Sequence, residues 1–206
     1  MMKFKKIAVL LLASMSYMSL SAAEVEFNGA LTNDYIWRGM SQSAEDPAVS
    51  GGFDVTSSKH GAYVGVWGSY VDFDSDTNAE VDYYFGYADE SARGVSFDVG
   101  YISYNYPSEG DLKFEEIYVG LAYKWVGVII SKGLEDAPDN TEWSVALGDS
   151  GLGATYGDYD GVGKYKLLSF DFPKEFAGMT FGIGLSDFDG ANGNADEDGF
   201  VITFSM

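Results

Sequence analysis

A two-residue period runs through the chain from about residue 25 to the carboxy terminus. Val81, Tyr83, Phe85 and Tyr87 are apolar at every second position, with Glu80, Asp82 and Gly86 between them and Tyr84 as an exception. The pattern recurs in Val95-Phe97-Val99-Tyr101, Ile117-Val119-Leu121-Tyr123, Trp143-Val145-Leu147, Met179-Phe181-Ile183-Leu185 and Phe200-Ile202-Phe204-Met206. Successive side chains of a strand point to opposite faces, so each segment reads as a strand with one apolar face and one polar or small face. About twelve strands result, at roughly 25–38, 48–57, 62–71, 79–89, 95–106, 113–123, 125–133, 141–149, 151–160, 165–172, 179–188 and 198–206. The expected fold is all-β, a transmembrane antiparallel up-and-down barrel, for which an even strand number is the rule in single bacterial chains.

The connections support that topology. Long acidic ones (39–47, 72–78, 107–111, 134–140, 189–197) alternate with tight ones such as Lys59-His60-Gly61, which is how a barrel inserted from the periplasm places its loops. Pro47, Pro107, Pro138 and Pro173 all fall in or beside connections, where no ladder donor is lost. The aromatics sort into two levels, as interfacial girdles do. Tyr35, Trp37, Tyr101, Trp143, Tyr165 and Phe188 are assigned to the outer level, and Phe27, Tyr87, Tyr123, Trp125, Phe172 and Phe204 to the periplasmic one. The last strand alternates up to Met206, a pattern suited to barrel assembly machinery. A two-layer sandwich lined with aromatics is the competing fold.

Composition narrows the function. With 12 Lys+Arg against 32 Asp+Glu, the formal charge of −20 repels a phosphate backbone, which excludes nucleic acid as an expected partner. The absence of Cys removes disulfides, thiolate metal sites and a Cys nucleophile, and one His cannot build a multi-His metal site. Residues 1–23 read as a secretory signal: a basic leader with Lys3, Lys5 and Lys6, an apolar stretch over 7–20, then Ser21-Ala22-Ala23. Residues 24–206 are then one outer-membrane barrel domain, with a formal charge of about −23.

Leu31-Thr32-Asn33-Asp34-Tyr35-Ile36-Trp37-Arg38-Gly39-Met40-Ser41-Gln42-Ser43, then Asp46-Pro47-Ala48-Val49 and Gly51-Gly52-Phe53-Asp54, resembles the opening of the TorF family of proteobacterial porins. The similarity continues through Tyr63-Val64-Gly65-Val66-Trp67-Gly68-Ser69, Glu80-Val81-Asp82-Tyr83-Tyr84-Phe85-Gly86-Tyr87-Ala88, Asp98-Val99-Gly100-Tyr101 and Glu116-Ile117-Tyr118-Val119-Gly120-Leu121. The resemblance implies an outer-membrane barrel that passes small solutes. It carries no catalytic residues.

Placing each apolar set toward lipid turns Glu26, Asp34, Asp54, Glu80, Asp82, Asp98, Glu116, Glu142 and Asp171 inward, with Arg38 as the opposing charge. A one-signed lining in a narrow wet passage concentrates counter-ions, so the expected function is a channel for small cationic or neutral solutes. The alternatives are an interior sealed because these carboxylates pair with Arg38 and lysines or bind water, and a non-conducting barrel with a structural or partner-binding role through its acidic loops. Expected partners are outer-membrane lipid and lipopolysaccharide, small solutes, and the assembly machinery during biogenesis. The registers of 62–71 and 125–133 stay open, because apolar residues occupy both faces.

Catalysis finds no support. Gly148-Asp149-Ser150-Gly151 has only His60 as a base, in a turn at the opposite end from the outer leaflet, and Glu115 and Glu116 point to opposite faces. Neither an enzymatic activity nor a cofactor is expected. Asp72, Asp74 and Asp76 offer alternating oxygens like a calcium loop, but Thr77 and Tyr83 replace the Gly and Glu such a loop needs.

Overall fold

A computed structural model describes residues 16–20, 23–58, 61–176 and 178–206. His60 and most of the expected leader lie outside the described residues. Twelve strands of the described chain form the barrel: β1 (Ala23–Thr32), β2 (Ala48–Ser57), β3 (Ala62–Tyr70), β4 (Ala79–Glu90), β5 (Val95–Asn105), β6 (Phe114–Tyr123), β7 (Val126–Gly133), β8 (Asn140–Ala146), β9 (Leu152–Tyr159), β10 (Gly163–Asp171), β11 (Thr180–Gly190) and β12 (Glu197–Ser205). Each pairs antiparallel with its sequence neighbour, and β12 returns to β1 through Thr203↔Thr32, Phe204↔Leu31 and Ser205↔Ala30. Two backbone hydrogen bonds between Gly29 and Met206, of 3.2 and 2.9 Å, extend this seam. Closure rules out the sandwich and leaves the ring without a free edge along the seam. Below it, Ser16–Leu20 pairs with Ala23–Phe27.

The strands tilt strongly. Stepping across hydrogen-bonded partners from Glu26 leads through Asp54, Gly65, Tyr84, Ile102 and Glu116 to Gly133. A residue near the start of β1 is thus in line with the end of β7, the stagger that barrel closure demands. Every residue on this row faces inward.

The outer surface is apolar. Phe53, Val64, Phe85, Val119, Leu121, Ile130, Val145, Leu168 and Leu185 are exposed on it. So large an exposed apolar belt is consistent with an outer-membrane setting, where hydrocarbon rather than water would cover it. Parity also settles the two open registers. Tyr63, Gly65, Trp67 and Ser69 face inward from β3, and Gly127, Ile129 and Ser131 from β7.

Eight of the twelve expected girdle rings lie on the outside. All six periplasmic-level rings are exposed on the outside, as is Trp143, and Tyr101 stacks outside on Phe85 at 5.2 Å. Tyr35, Trp37, Tyr165 and Phe188 are instead interior. Tyr165 and Phe188 are register partners whose outward neighbours, Lys164, Lys166, Asp187 and Asp189, are polar. The apolar and polar faces trade places at this end of the barrel, so strict alternation assigned these rings to the wrong side.

The first strand also ends early, at Thr32 rather than near residue 38. The chain then turns into the barrel, and Ile36–Trp37 pairs with Met40–Ser41 around Arg38 (φ 49°) and Gly39 (φ 86°). Two successive positive φ values make the tight hairpin turn whose twist suits paired strands. This hairpin fills the mouth with the long loops. There Val71, Tyr104 and Tyr106 form the buried core, with Tyr35, Trp37, Phe73, Ile102 and Phe114 against it.

Candidate functional site

The hairpin carries Arg38 into the centre of that mouth. Its Nη1 and Nη2 each donate to one oxygen of Glu116 on β6, both at 2.7 Å, with side-chain exposures of only 8% and 1%. The guanidinium lies 4.2 Å from the Trp37 ring and 4.7 Å from that of Tyr159 on β9. Trp37 packs edge-on against Tyr104 and Tyr159 at 5.6 and 5.7 Å. A planar, weakly hydrated cation is the group such a fork of oxygens and rings accommodates best.

Further bonds fasten the hairpin to itself and to the wall. Asp34 Oδ1 accepts the Ser41 and Ser43 hydroxyls at 2.7 and 3.1 Å, and Gln42 N donates to Tyr35 O at 2.7 Å. Ser41 N donates to Glu197 Oε2 of β12 at 2.8 Å, and Asp72 N to Gln42 O at 2.8 Å. Tyr35 packs against Trp67 at 5.5 Å and donates its hydroxyl to Glu80 Oε1 at 3.2 Å.

The acidic wall exists, but its members sit in different surroundings. Glu80, Asp82 and Glu116 are buried behind the hairpin. Glu80 and Asp82 are two residues apart on the inner face of β4, and Asp82 Oδ1 is buried without a hydrogen-bond partner. Glu142 accepts the Tyr165 hydroxyl at 2.8 Å. Toward the short-turn end, Glu26, Asp54, Asp98 and Asp171 are half-buried, and Glu26 stands opposite Asp54 across the β1–β2 pair. Two of the ten expected lining residues are placed differently. Asp34 and Arg38 belong to the hairpin rather than to β1, so Asp34 is consumed in holding the turn and Arg38 caps the wall instead of lining it.

Tyrosines are the interior residues that sequence reasoning missed. Tyr63 donates to Asp98 and Tyr84 to Asp54, both at 2.7 Å, and the Tyr63 and Tyr118 hydroxyls are bonded to each other. Each ring lies along the wall over a glycine: Tyr84 over Gly65, Tyr63 over Gly86, Tyr118 over Gly100 and Tyr165 over Gly157. A Cβ at any of these glycines would collide with the ring. The signal was Tyr84 itself, which breaks the alternation of β4, and Tyr118 among the polar set of β6.

Asp72 Oδ1 accepts the backbone N–H of Asp74 at 2.9 Å, and among the described residues no three His, Cys, Asp or Glu side chains are grouped to hold an ion. Asp72 thus spends one carboxylate oxygen on its own turn. At the same rim the Lys132 ammonium, 2.8 Å from Asp139, holds that exposed carboxyl below the usual carboxylate range.

These features define a closed, twelve-stranded antiparallel barrel, apolar outside and carboxylate-lined within, with one mouth filled by its own hairpin. The chain belongs to the Gcw_chp family, described as bacterial protein of unknown function, whose model matches residues 18–196. No curated protein and no solved structure matches it.

Proposed function

We propose that the chain is an outer-membrane channel for small cationic and neutral solutes, with hairpin 33–43 as its constriction. The carrying observation is the inversion of polarity, with exposed apolar side chains outside a closed ring and carboxylates opposed by Arg38 inside. Hydrocarbon around such a ring would leave no backbone group unpaired along its closed seam. The acidic lining would raise cation concentration in a low-dielectric passage. The flat-lying tyrosines support the reading too, because they press against the wall instead of crossing the lumen. The leader-like residues 1–23 and the resemblance to TorF porins point the same way, toward export and a transport role in which lipid, lipopolysaccharide and barrel assembly machinery are the partners. Nothing in this reading calls for catalysis.

Reconstitution in a planar bilayer tests it. Small unit conductances and a cation-selective reversal potential in a KCl gradient are expected; anion selectivity would refute the role given to the wall. The second reading, a non-conducting barrel with a structural or partner-binding role through its acidic loops, is favoured by the buried Arg38–Glu116 pair. It predicts a silent bilayer.

A further inference from the structure

The surroundings of Arg38 divide into two sets. Trp37 travels with the hairpin, whereas Glu116 on β6, Tyr159 on β9 and Tyr104 on β5 are parts of the wall and remain if the hairpin withdraws. What stays is a buried carboxylate with both oxygens aimed at one point and an aromatic face 4.7 Å from it. An ammonium cannot satisfy both oxygens in the plane as a guanidinium fork does. Asp54 and Asp98 add two half-buried carboxylates toward the short-turn end, so the interior on that side of the cage carries a field that attracts cations. We propose that the Glu116–Tyr159 cage is a guanidinium-recognition subsite, which the chain keeps occupied with its own Arg38. Solutes bearing a guanidinium group are then the class that competes with the hairpin for the wall. The subsite deepens the channel reading and rests on it only for the word solute; the cage itself can be tested without any conduction.

The test is chemical rescue in the full-length protein, refolded in detergent. Arg38→Ala removes the built-in occupant, and the midpoint of the heat-dependent mobility shift on a gel reads the loss. Methylguanidinium chloride at millimolar concentration is expected to restore at least half of the lost midpoint in a saturable manner. Methylammonium chloride and NaCl at the same ionic strength are expected to restore little, and Arg38→Ala with Glu116→Gln is expected not to respond. Equal restoration by all three salts, or restoration that survives Glu116→Gln, overturns the proposal. Should Arg38→Ala fail to fold, Arg38→Gln, whose amide can still donate to Glu116, carries the same comparison with the same two outcomes. A bilayer that stays silent while rescue succeeds removes the channel and keeps the subsite. Conduction without rescue does the reverse.

Discussion

Replacing Glu116 by Gln asks whether charge holds the hairpin in the mouth. The substitution keeps the volume of the side chain and one carbonyl oxygen, but it leaves the Arg38 guanidinium buried against a neutral amide. Both partners are almost fully enclosed, and both hydrogen bonds measure 2.7 Å. Removing one member of such a buried pair costs about 3–5 kcal/mol, because the survivor's desolvation is no longer offset. Rings at 4.2 and 4.7 Å retain part of the cation's stabilisation, which places the expected loss near the lower end, about 3 kcal/mol. For a chain of this size that corresponds to a fall of roughly 6–12 °C in the unfolding midpoint. Heat-dependent gel mobility and Trp fluorescence report it, and Arg38→Met combined with Glu116→Leu provides the control. The double variant carries no buried charge at this site and is expected to return to within about 1 kcal/mol of the parent. A loss below about 0.5 kcal/mol for Glu116→Gln, or a double variant as unstable as the single one, would refute the charge-latch reasoning.

Three other outcomes separate the faces of the barrel. Val119→Arg, midway along the exposed face of β6, is expected to cost about 2–4 kcal/mol in lipid, measured by urea titration in vesicles; a neutral effect would mean that hydrocarbon does not cover that face. Asp54→Asn with Asp98→Asn is expected to reduce cation preference in the reversal potential, and unchanged selectivity would take these half-buried carboxylates out of the conduction path. Gly157→Val puts a branched side chain where the Tyr165 ring lies and is expected to destabilise by about 1–3 kcal/mol, with Tyr165→Ala restoring part of the loss in the double variant.

Much of this fold is legible in the chain because period two survives closure into a barrel. Each strand exposes one face to its surroundings and one to the lumen, so Val119 and Leu121 could be assigned outward and Glu116 inward from spacing alone. The hairpin was not legible by the same rule. Tyr35 and Trp37 keep the two-residue spacing of β1, and a tight hairpin is itself extended on both sides of its turn. Alternation therefore runs on through the point where the chain leaves the wall. The break is encoded in Arg38-Gly39, which take positive φ, but only Gly favours that region strongly and the pair is a weaker turn signal than Asn-Gly. Tyr165 and Phe188 were misplaced for a different reason. Period two gives the relation between neighbours but not which face is which, and near this mouth the lysines and aspartates of β10 and β11 face outward.

Charge balance divides the inward carboxylates into one that has a cation and the rest, which have none among the described residues. One guanidinium can neutralise one carboxylate by bidentate bonding, and Glu116 takes it. The other inward acids must be satisfied by neutral donors or by water, since an enclosed unpaired carboxylate is costly. Tyrosine hydroxyls serve Glu80, Glu142, Asp54 and Asp98. A hydroxyl stabilises a carboxylate less than a cation does, so complete burial of every acid would be unfavourable. Asp54 and Asp98 stay half-buried, whereas Glu80 and Asp82 are enclosed without a cation and carry the larger cost.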